Sequence, residues 1–321
     1  MMINKVKKVL NNRELFLVFI AIVVFFSMTA GRFLSLDNVA NILRNTSIGG
    51  LLVLGLTLIM IAGDFDLSFA GAVSLLNLLG LIAIDKGMNM YLAFFLMIVG
   101  GVIWELFNAT LVVKLKMHAF IATIASLTLS KGIIYWITKG STFFGNSPDS
   151  LTFIGRFTLF KILPFNTLIF IVMAVTVYLL ANRTKFGRHL YAVGGNSDAA
   201  EYVGINVNKQ RIIAYILSGI CVGVATVTLC SKLATAPSTA GDGFQMQAIS
   251  AAFLGAAVFK LGQVNVGGSI LAIFILTTIE NGLIMLNVPF YFQYIVQAMI
   301  LIGAVSFVSK KSKKGEGPAI F

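Results

Sequence analysis

The stretch Thr46-Ser-Ile-Gly-Gly-Leu-Leu-Val-Leu-Gly-Leu-Thr-Leu-Ile-Met-Ile-Ala-Gly63 runs for eighteen residues without a charge and without alternation of polar and apolar positions. A helix needs about 20 mostly apolar residues to cross a bilayer core, whereas a barrel strand needs about 10 that alternate. The run is therefore read as a membrane helix over 46–63. Nine similar runs follow from the same criterion, over 15–31, 67–84, 90–113, 118–138, 162–182, 212–231, 246–259, 265–286 and 291–308. These predict an all-α, polytopic membrane protein of about ten transmembrane helices in a single domain, 1–321.

Composition leads to the same class. Hydrophobic residues make up 58% of the 321 and charged residues 11%, with a mean hydropathy of +0.93. A soluble chain carries roughly a quarter charged residues, so a pair of soluble domains is excluded, as is a disordered chain. Two cysteines exclude a disulfide scaffold. Cys221 and Cys230 fall in one predicted helix about 13 Å apart, too far to bridge, and are read as packing residues. The basic-then-apolar start lacks a small-x-small cleavage site and is read as an uncleaved first helix.

Net charge is +12, from 24 Lys+Arg against 12 Asp+Glu, and its placement sets the expected topology. Lys5, Lys7, Lys8 and Arg13 flank the first run, and Lys310, Lys311, Lys313 and Lys314 follow the last. Positive flanks stay cytoplasmic, so both termini are expected inside. Ten spans then place Lys114, Lys116, Lys260 and the 183–211 segment inside as well. Retention of this kind accounts for the basic tail without binding of nucleic acid or anionic lipid, and membrane lipid is the expected surrounding.

The two halves echo one another. Ala62-Gly63-Asp64 follows the second span and Ala240-Gly241-Asp242 the seventh; Glu105-Leu-Phe-Asn108 and Glu280-Asn281-Gly282 each close a later helix. Five spans separate the copies, so spans 2–5 and 7–10 would form an inverted repeat, the arrangement of transport proteins whose path lies between the halves. Chance similarity of Gly-rich apolar segments is the alternative.

The longest cytoplasmic loop, about 183–211, carries more than charge. Asn196 or Ser197 is placed to cap a short helix through Asp198, Ala199, Ala200, Glu201 and Tyr202, which Gly204 would terminate. A short helix with Ala on one face at the membrane surface is a docking element. The pattern Thr184…Phe186-Gly187-Arg188…Tyr191-Ala-Val-Gly-Gly-Asn196…Ala199-Ala200…Gly204-Ile-Asn-Val207 closely resembles the ribose-type permeases of bacterial ATP-binding-cassette importers. So do Asp66-Leu67-Ser68, Phe120-Ile-Ala-Thr123 with Lys131-Gly132, the region Pro237–Gly255, and Asn281-Gly282-Leu283. Departures from the family pattern include Asp64 and Ala70 in place of Gly, Gln245 and Gln247 in place of acidic residues, Ala256 in place of the second Gly of a pair, and Lys131 in place of Arg. The stretch Lys260–Asn265 has also lost most of a Gly-rich turn.

The resemblance implies a type II importer-like, multi-pass subunit of the bacterial cytoplasmic membrane that translocates a ribose-like monosaccharide. It implies three partners: a cytoplasmic ABC ATPase bound through a coupling helix at 198–204, a periplasmic or lipoprotein sugar-binding protein, and a second permease, identical or diverged. Asn196, Asp198, Ala199, Ala200, Glu201 and Gly204 are the coupling candidates. No Gly-x-x-x-x-Gly-Lys-(Ser/Thr) occurs in the sequence, so ATP is expected on the partner, with no cofactor on this chain.

For the path, the candidates are Asp66, Ser68, Glu105, Asn108, Glu280 and Asn281, because carboxylates within or near a membrane are costly and usually functional. Two alternatives remain at this stage: Asp64 and Asp66 as solvated turn residues, and Glu105 as a structural ion pair with Lys131. Trp104 and Trp136 read as interface anchors. No Cys/His/carboxylate cluster has metal-ligand spacing, and neither a nucleophile motif nor a paired catalytic constellation is visible, so neither a metal nor a catalytic residue is expected. An ion-coupled secondary carrier for a small polar solute, using Glu105, Glu280 or Asp66, is the alternative function.

Overall fold

The computed structural model describes residues 14–146, 148–160, 162–256 and 262–312, with the side chains at 14, 15, 149 and 307–312 outside the description. Lys5, Lys7, Lys8, Arg13, Lys260, Lys313 and Lys314, used above for topology, therefore lie outside the described residues, as do the side chains of Lys310 and Lys311.

A helix stands at each of the ten predicted runs. They are α1 (Glu14–Thr29), α2 (Leu36–Ile61), α3 (Phe69–Asp85), α4 (Met90–Ala109), α5 (Ala119–Thr138) and α6 (Phe165–Arg183), then, after two short helices, α9 (Val207–Leu233), α10 (Asp242–Ala256), α11 (Val266–Met285) and α12 (Phe290–Ser312). The short ones, α7 (Lys185–Gly195) and α8 (Ser197–Tyr202), occupy the long loop. Between α5 and α6 a helical turn, Phe153–Arg156, leads into a two-stranded hairpin, β1 (Thr158–Leu159) and β2 (Leu163–Pro164). Among the described residues six helices are long and apolar enough to cross a membrane: α2, α4 with its π-helical extension Thr110–Lys114, α5, α6, α9 and α11. The protein is a multi-pass, mainly helical membrane protein.

Boundaries moved where polarity hides helix. The second run was expected from residue 46, yet α2 starts at Leu36, where the Ser35 hydroxyl accepts from the Asn38 amide. Its first turns carry Asp37, Asn38, Asn41, Arg44 and Asn45, which an apolar window passes over. The predicted span 246–259 starts earlier, at Asp242, as α10, and residues 257–259 lie outside the described residues.

Burial separates a core from a lipid-facing shell. From Thr46 to Ile59 every residue of α2 is shielded, and Ile48, Leu51, Leu52, Leu54 and Leu58 are 0% exposed. A helix apolar on every side is a central one, and α2 is wrapped by α6, α9, α10 and α11. By contrast Phe16, Phe25, Phe95, Ile121, Trp136 and Val172 stand exposed on α1, α4, α5 and α6, as side chains that meet hydrocarbon do.

In a bilayer, helices associate through close packing of small residues. The α4–α9 crossing is built that way: a Cβ on Gly101 would lie 2.4 Å from the Gly219 carbonyl oxygen, and one on Gly223 2.4 Å from the Ile98 Cα. No side chain larger than hydrogen fits at either glycine. Two-fold matching runs through the inter-helix contacts. α4 packs on α9 as α11 packs on α2; α3 touches α4, α5 and α9 as α10 touches α11, α12 and α2.

Candidate translocation path and coupling surface

Beyond the end of α2 the chain leaves helical geometry for Gly63–Leu67 before α3 begins. Irregular backbone beside membrane helices is tolerated where protein or a cavity satisfies it, and here Ser68 donates its amide to Asp66 Oδ1 at 2.7 Å. Asp66 and Ser68 are 0% exposed, and Glu105 and Asn108, one turn apart on α4, are buried equally. The four candidates converge. Asn108 Nδ2 donates to Ser68 Oγ at 2.6 Å and to Glu105 Oε2 at 3.3 Å, and the two carboxyl groups are within hydrogen-bond reach of each other. The Trp104 indole also donates to Ser68 Oγ at 3.2 Å.

These contacts overturn three expectations. Asp64 and Asp66 are not solvated turn residues, because both are buried. Glu105 does not pair with Lys131, whose ammonium lies 3.1 Å from Asp242 Oδ2 instead. Trp104 is not an interface anchor but part of the polar cluster, whereas Trp136 is 75% exposed on α5. Asn108 Oδ1 and the Tyr215 hydroxyl are buried with no hydrogen-bond partner in the protein, and Asp66 Oδ2 and Glu105 Oε1 have none other than the facing carboxyl group. Buried polar groups seldom go unpaired, so this cluster has capacity for water or for the hydroxyls of a passing solute.

Glu280 and Asn281 do not join it. Gln247 Nε2 donates to Glu280 Oε2 at 2.8 Å and to Thr277 Oγ1 at 3.3 Å, while Lys232 Nζ donates to Asn45 Oδ1 at 2.5 Å on the α2 face near Gln247. Asn45 stands sixteen residues before Ile61 on α2, so this second cluster is about 24 Å from the first along the helix. Asn281 turns elsewhere: its Oδ1 accepts from Asn38 Nδ2 at 2.9 Å, joining α11 to the start of α2. Asn281 is thus a packing contact.

Beside the first cluster opens a cavity of about 1050 Å³ lined by Gly63, Asp64, Phe65, Lys116, Met117, His118, Phe120, Gly194, Asn208, Arg211 and Phe253, among others. Polar groups stand against apolar walls in it, as in sites for small polar molecules. Phe65 lies between the rings of Phe120 and Phe253, 6.2 and 6.1 Å from their centroids. Asp64 accepts two bonds from Arg211, one from Nε at 2.8 Å and one from Nη2. Burial raises the Asp64 carboxyl above the ordinary range, and the guanidinium opposes that rise.

The loop holds the coupling candidates, and more helix than was expected. Thr184 caps α7 by accepting from the Gly187 amide at 3.3 Å, and Asn196 caps α8 by accepting from Ala199 at 2.9 Å. Gly204 ends α8 at φ +82°, and Ile205 returns its amide to the Ala200 carbonyl at 3.0 Å. Asn196, Asp198, Ala199, Glu201 and Gly204 are exposed; Ala200 is buried against the body of the protein, so it seats the helix and presents no face to a partner. Tyr202 and Val203, 92% and 75% exposed, are the apolar tip that the Ala pattern did not reveal. Among the described residues no cluster of metal-ligating side chains occurs.

Residues 38–305 match the family model described as branched-chain amino acid transport system / permease component. The chain is 32% identical to a ribose import permease protein of Bacillus subtilis (strain 168), over 92% of each chain. It is 31% identical to the ribose import permease protein of Escherichia coli (strain K12), again over 92% of each. A xylose transport system permease protein of Haemophilus influenzae is 30% identical over 94% of this chain and 98% of its own length.

Proposed function

We propose that this chain, which belongs to the branched-chain amino acid transport system / permease component family, is the pore-forming subunit of an ATP-driven importer for a monosaccharide of the ribose and xylose class. The observation that carries the reading is the seating of α7 and α8. Of the two capped helices, α7 bears directly on the end of the central helix α2 through Gly194, beside a cavity lined by charged and aromatic groups, and α8, which carries the exposed Tyr202–Val203 tip, packs on α7 and α9.

In this reading all ten helices cross the cytoplasmic membrane as one domain, with both termini and α7–α8 inside. The matched packing of α2–α5 and α9–α12 supports an inverted repeat. A separate ATPase docks on α8 and supplies hydrolysis, a binding protein delivers sugar from outside, and a second permease, identical or diverged, completes the pore. Closure of the ATPase pair pushes α8; the halves rock about the α2–α9 core; and the sugar passes from the Lys232–Glu280 cluster to the Asp66–Glu105 cluster and into the inner cavity. The aromatic faces of Phe65, Phe120 and Phe253 suit the apolar faces of a sugar ring, and the facing Asp66 and Glu105 carboxyl groups with the unpaired Asn108 oxygen suit its hydroxyls.

Proteoliposomes holding the chain with its ATPase and binding protein test this with radiolabelled ribose, xylose and leucine. ATP-dependent uptake of a pentose, unaffected by a protonophore, is the expected result. Leucine uptake, or pentose uptake that a protonophore abolishes and ATP does not drive, would contradict it.

A further inference from the structure

The helix ends that meet at the inner cavity form a closed ring of contacts. α8 is tied to the start of α9 by the bond from Ile205 to Ala200, and Arg211 follows one turn beyond the Asn206 cap of α9. Arg211 reaches across with two bonds to Asp64. Asp64 in turn donates its amide to the Ile59 carbonyl at 3.1 Å, which fixes it to the last turn of α2. The ring closes through glycine: a Cβ on Gly194, at the end of α7, would fall 1.9 Å from the Ile61 carbonyl oxygen, and one on Gly63 would touch the Gly194 Cα at 3.3 Å. Gly63, Asp64, Gly194, Asn208 and Arg211 all line the cavity.

We propose that Asp64 and Arg211 are a positioning pair that holds the inner ends of α2 and α9 to the coupling segment, so that the three move as one body and close the inner cavity. This rests on the permease reading above. A buried pair brings little net stability, since the desolvation of two charges offsets their attraction. What a two-pronged Arg–carboxylate contact does supply is fixed geometry. Here that geometry joins two helices that are far apart in sequence and packed on one another, at the point where α7 bears on α2. Without the pair, a push on α8 would be delivered to α9 through Ile205 and to α2 through Gly194, and only the packing of α2 on α9 farther along the two helices would keep the two displacements in step.

The experiment uses a Met117→Cys reporter in the full importer with its ATPase. Met117 lines the cavity, and the two native cysteines are buried. Labelling by a membrane-impermeant maleimide is followed before and after trapping with ATP and vanadate. Trapping is expected to slow labelling in the reporter background. Asp64→Asn or Arg211→Gln shrinks that contrast by about tenfold, a typical coupling between sites, while the ATPase still co-purifies and hydrolyses ATP. The exchanged pair, Asp64→Arg with Arg211→Asp, restores it, and Gly194→Ala reduces it as the single variants do. An undiminished contrast in Asp64→Asn overturns the proposal. So does loss of the bound ATPase in the single variants, which would place the pair in the docking surface. No contrast in the reporter background, with ATPase bound and active, would overturn the permease reading itself and the pair's role with it.

Discussion

Asp66, Ser68, Glu105 and Asn108 come from two separate segments and meet in one buried cluster. Asn108 holds it together, because its one amide group serves both Ser68 and Glu105. Asn108→Ala would leave Ser68 and Glu105 short of a donor, at a cost of about 1–3 kcal/mol. Thermal denaturation in detergent should show the lower midpoint, and an unchanged midpoint would contradict the assigned contacts. Residue types that depart from the resembled family find partners here. Asp64 meets Arg211, Lys131 meets Asp242, and Gln247 meets Glu280. The carboxylates were legible as candidates because a charge in an apolar run stands out. Their partners were not, since Arg211 and Lys131 lie 147 and 111 residues from the acids they bind, and spacing along the chain carries no information about such pairs. Trp104 was misread for a related reason. A tryptophan near a helix end looks the same in sequence whether it faces headgroups or a buried serine.

At the scale of elements, hydropathy located a helix at each of the ten apolar runs, and among the described residues six of these are long and apolar enough to cross a membrane. It failed at the polar start of α2 and in the 183–211 loop, where α7 is held by a Thr184 cap and an apolar face too short for any window. The α4–α9 crossing gives a sharp test. Gly219→Leu should drive a side chain into the Gly101 carbonyl and Val102 Cα, each 2.7 Å from the added Cβ, and overpacking of this kind costs about 1–3 kcal/mol or more. Gly132, with nothing within 4 Å, should accept Leu without loss. Equal melting points for the two variants in detergent would contradict the crossing. For α8, burial reverses the expectation drawn from its Ala pattern. Ala200→Leu should unseat the helix and lower the melting point, whereas Tyr202→Asp should leave folding intact and weaken retention of the ATPase on an affinity column. The opposite assignment of effects would contradict the burial of Ala200.

Taken as one molecule, the chain places one polar cluster at the end of the central helix, beside the cavity whose wall includes Gly194 of α7, and a second around Asn45 of the same helix. Sidedness follows from charge and is open to direct test. Ser141→Cys and Asp198→Cys are both exposed and belong to segments expected on opposite faces. An impermeant maleimide should label the first only from outside the cell and the second only after the cytoplasmic face is exposed; labelling of both from one side would contradict the topology. The measurement that bears most directly on the whole account is ATP hydrolysis by the partner ATPase in proteoliposomes that contain this chain. With the native sequence, sugar-loaded binding protein should stimulate hydrolysis and drive uptake together, and Tyr202→Asp with Val203→Asp should remove both. Uptake that persists in that double variant, or that follows an ion gradient while hydrolysis stays unchanged, would contradict it.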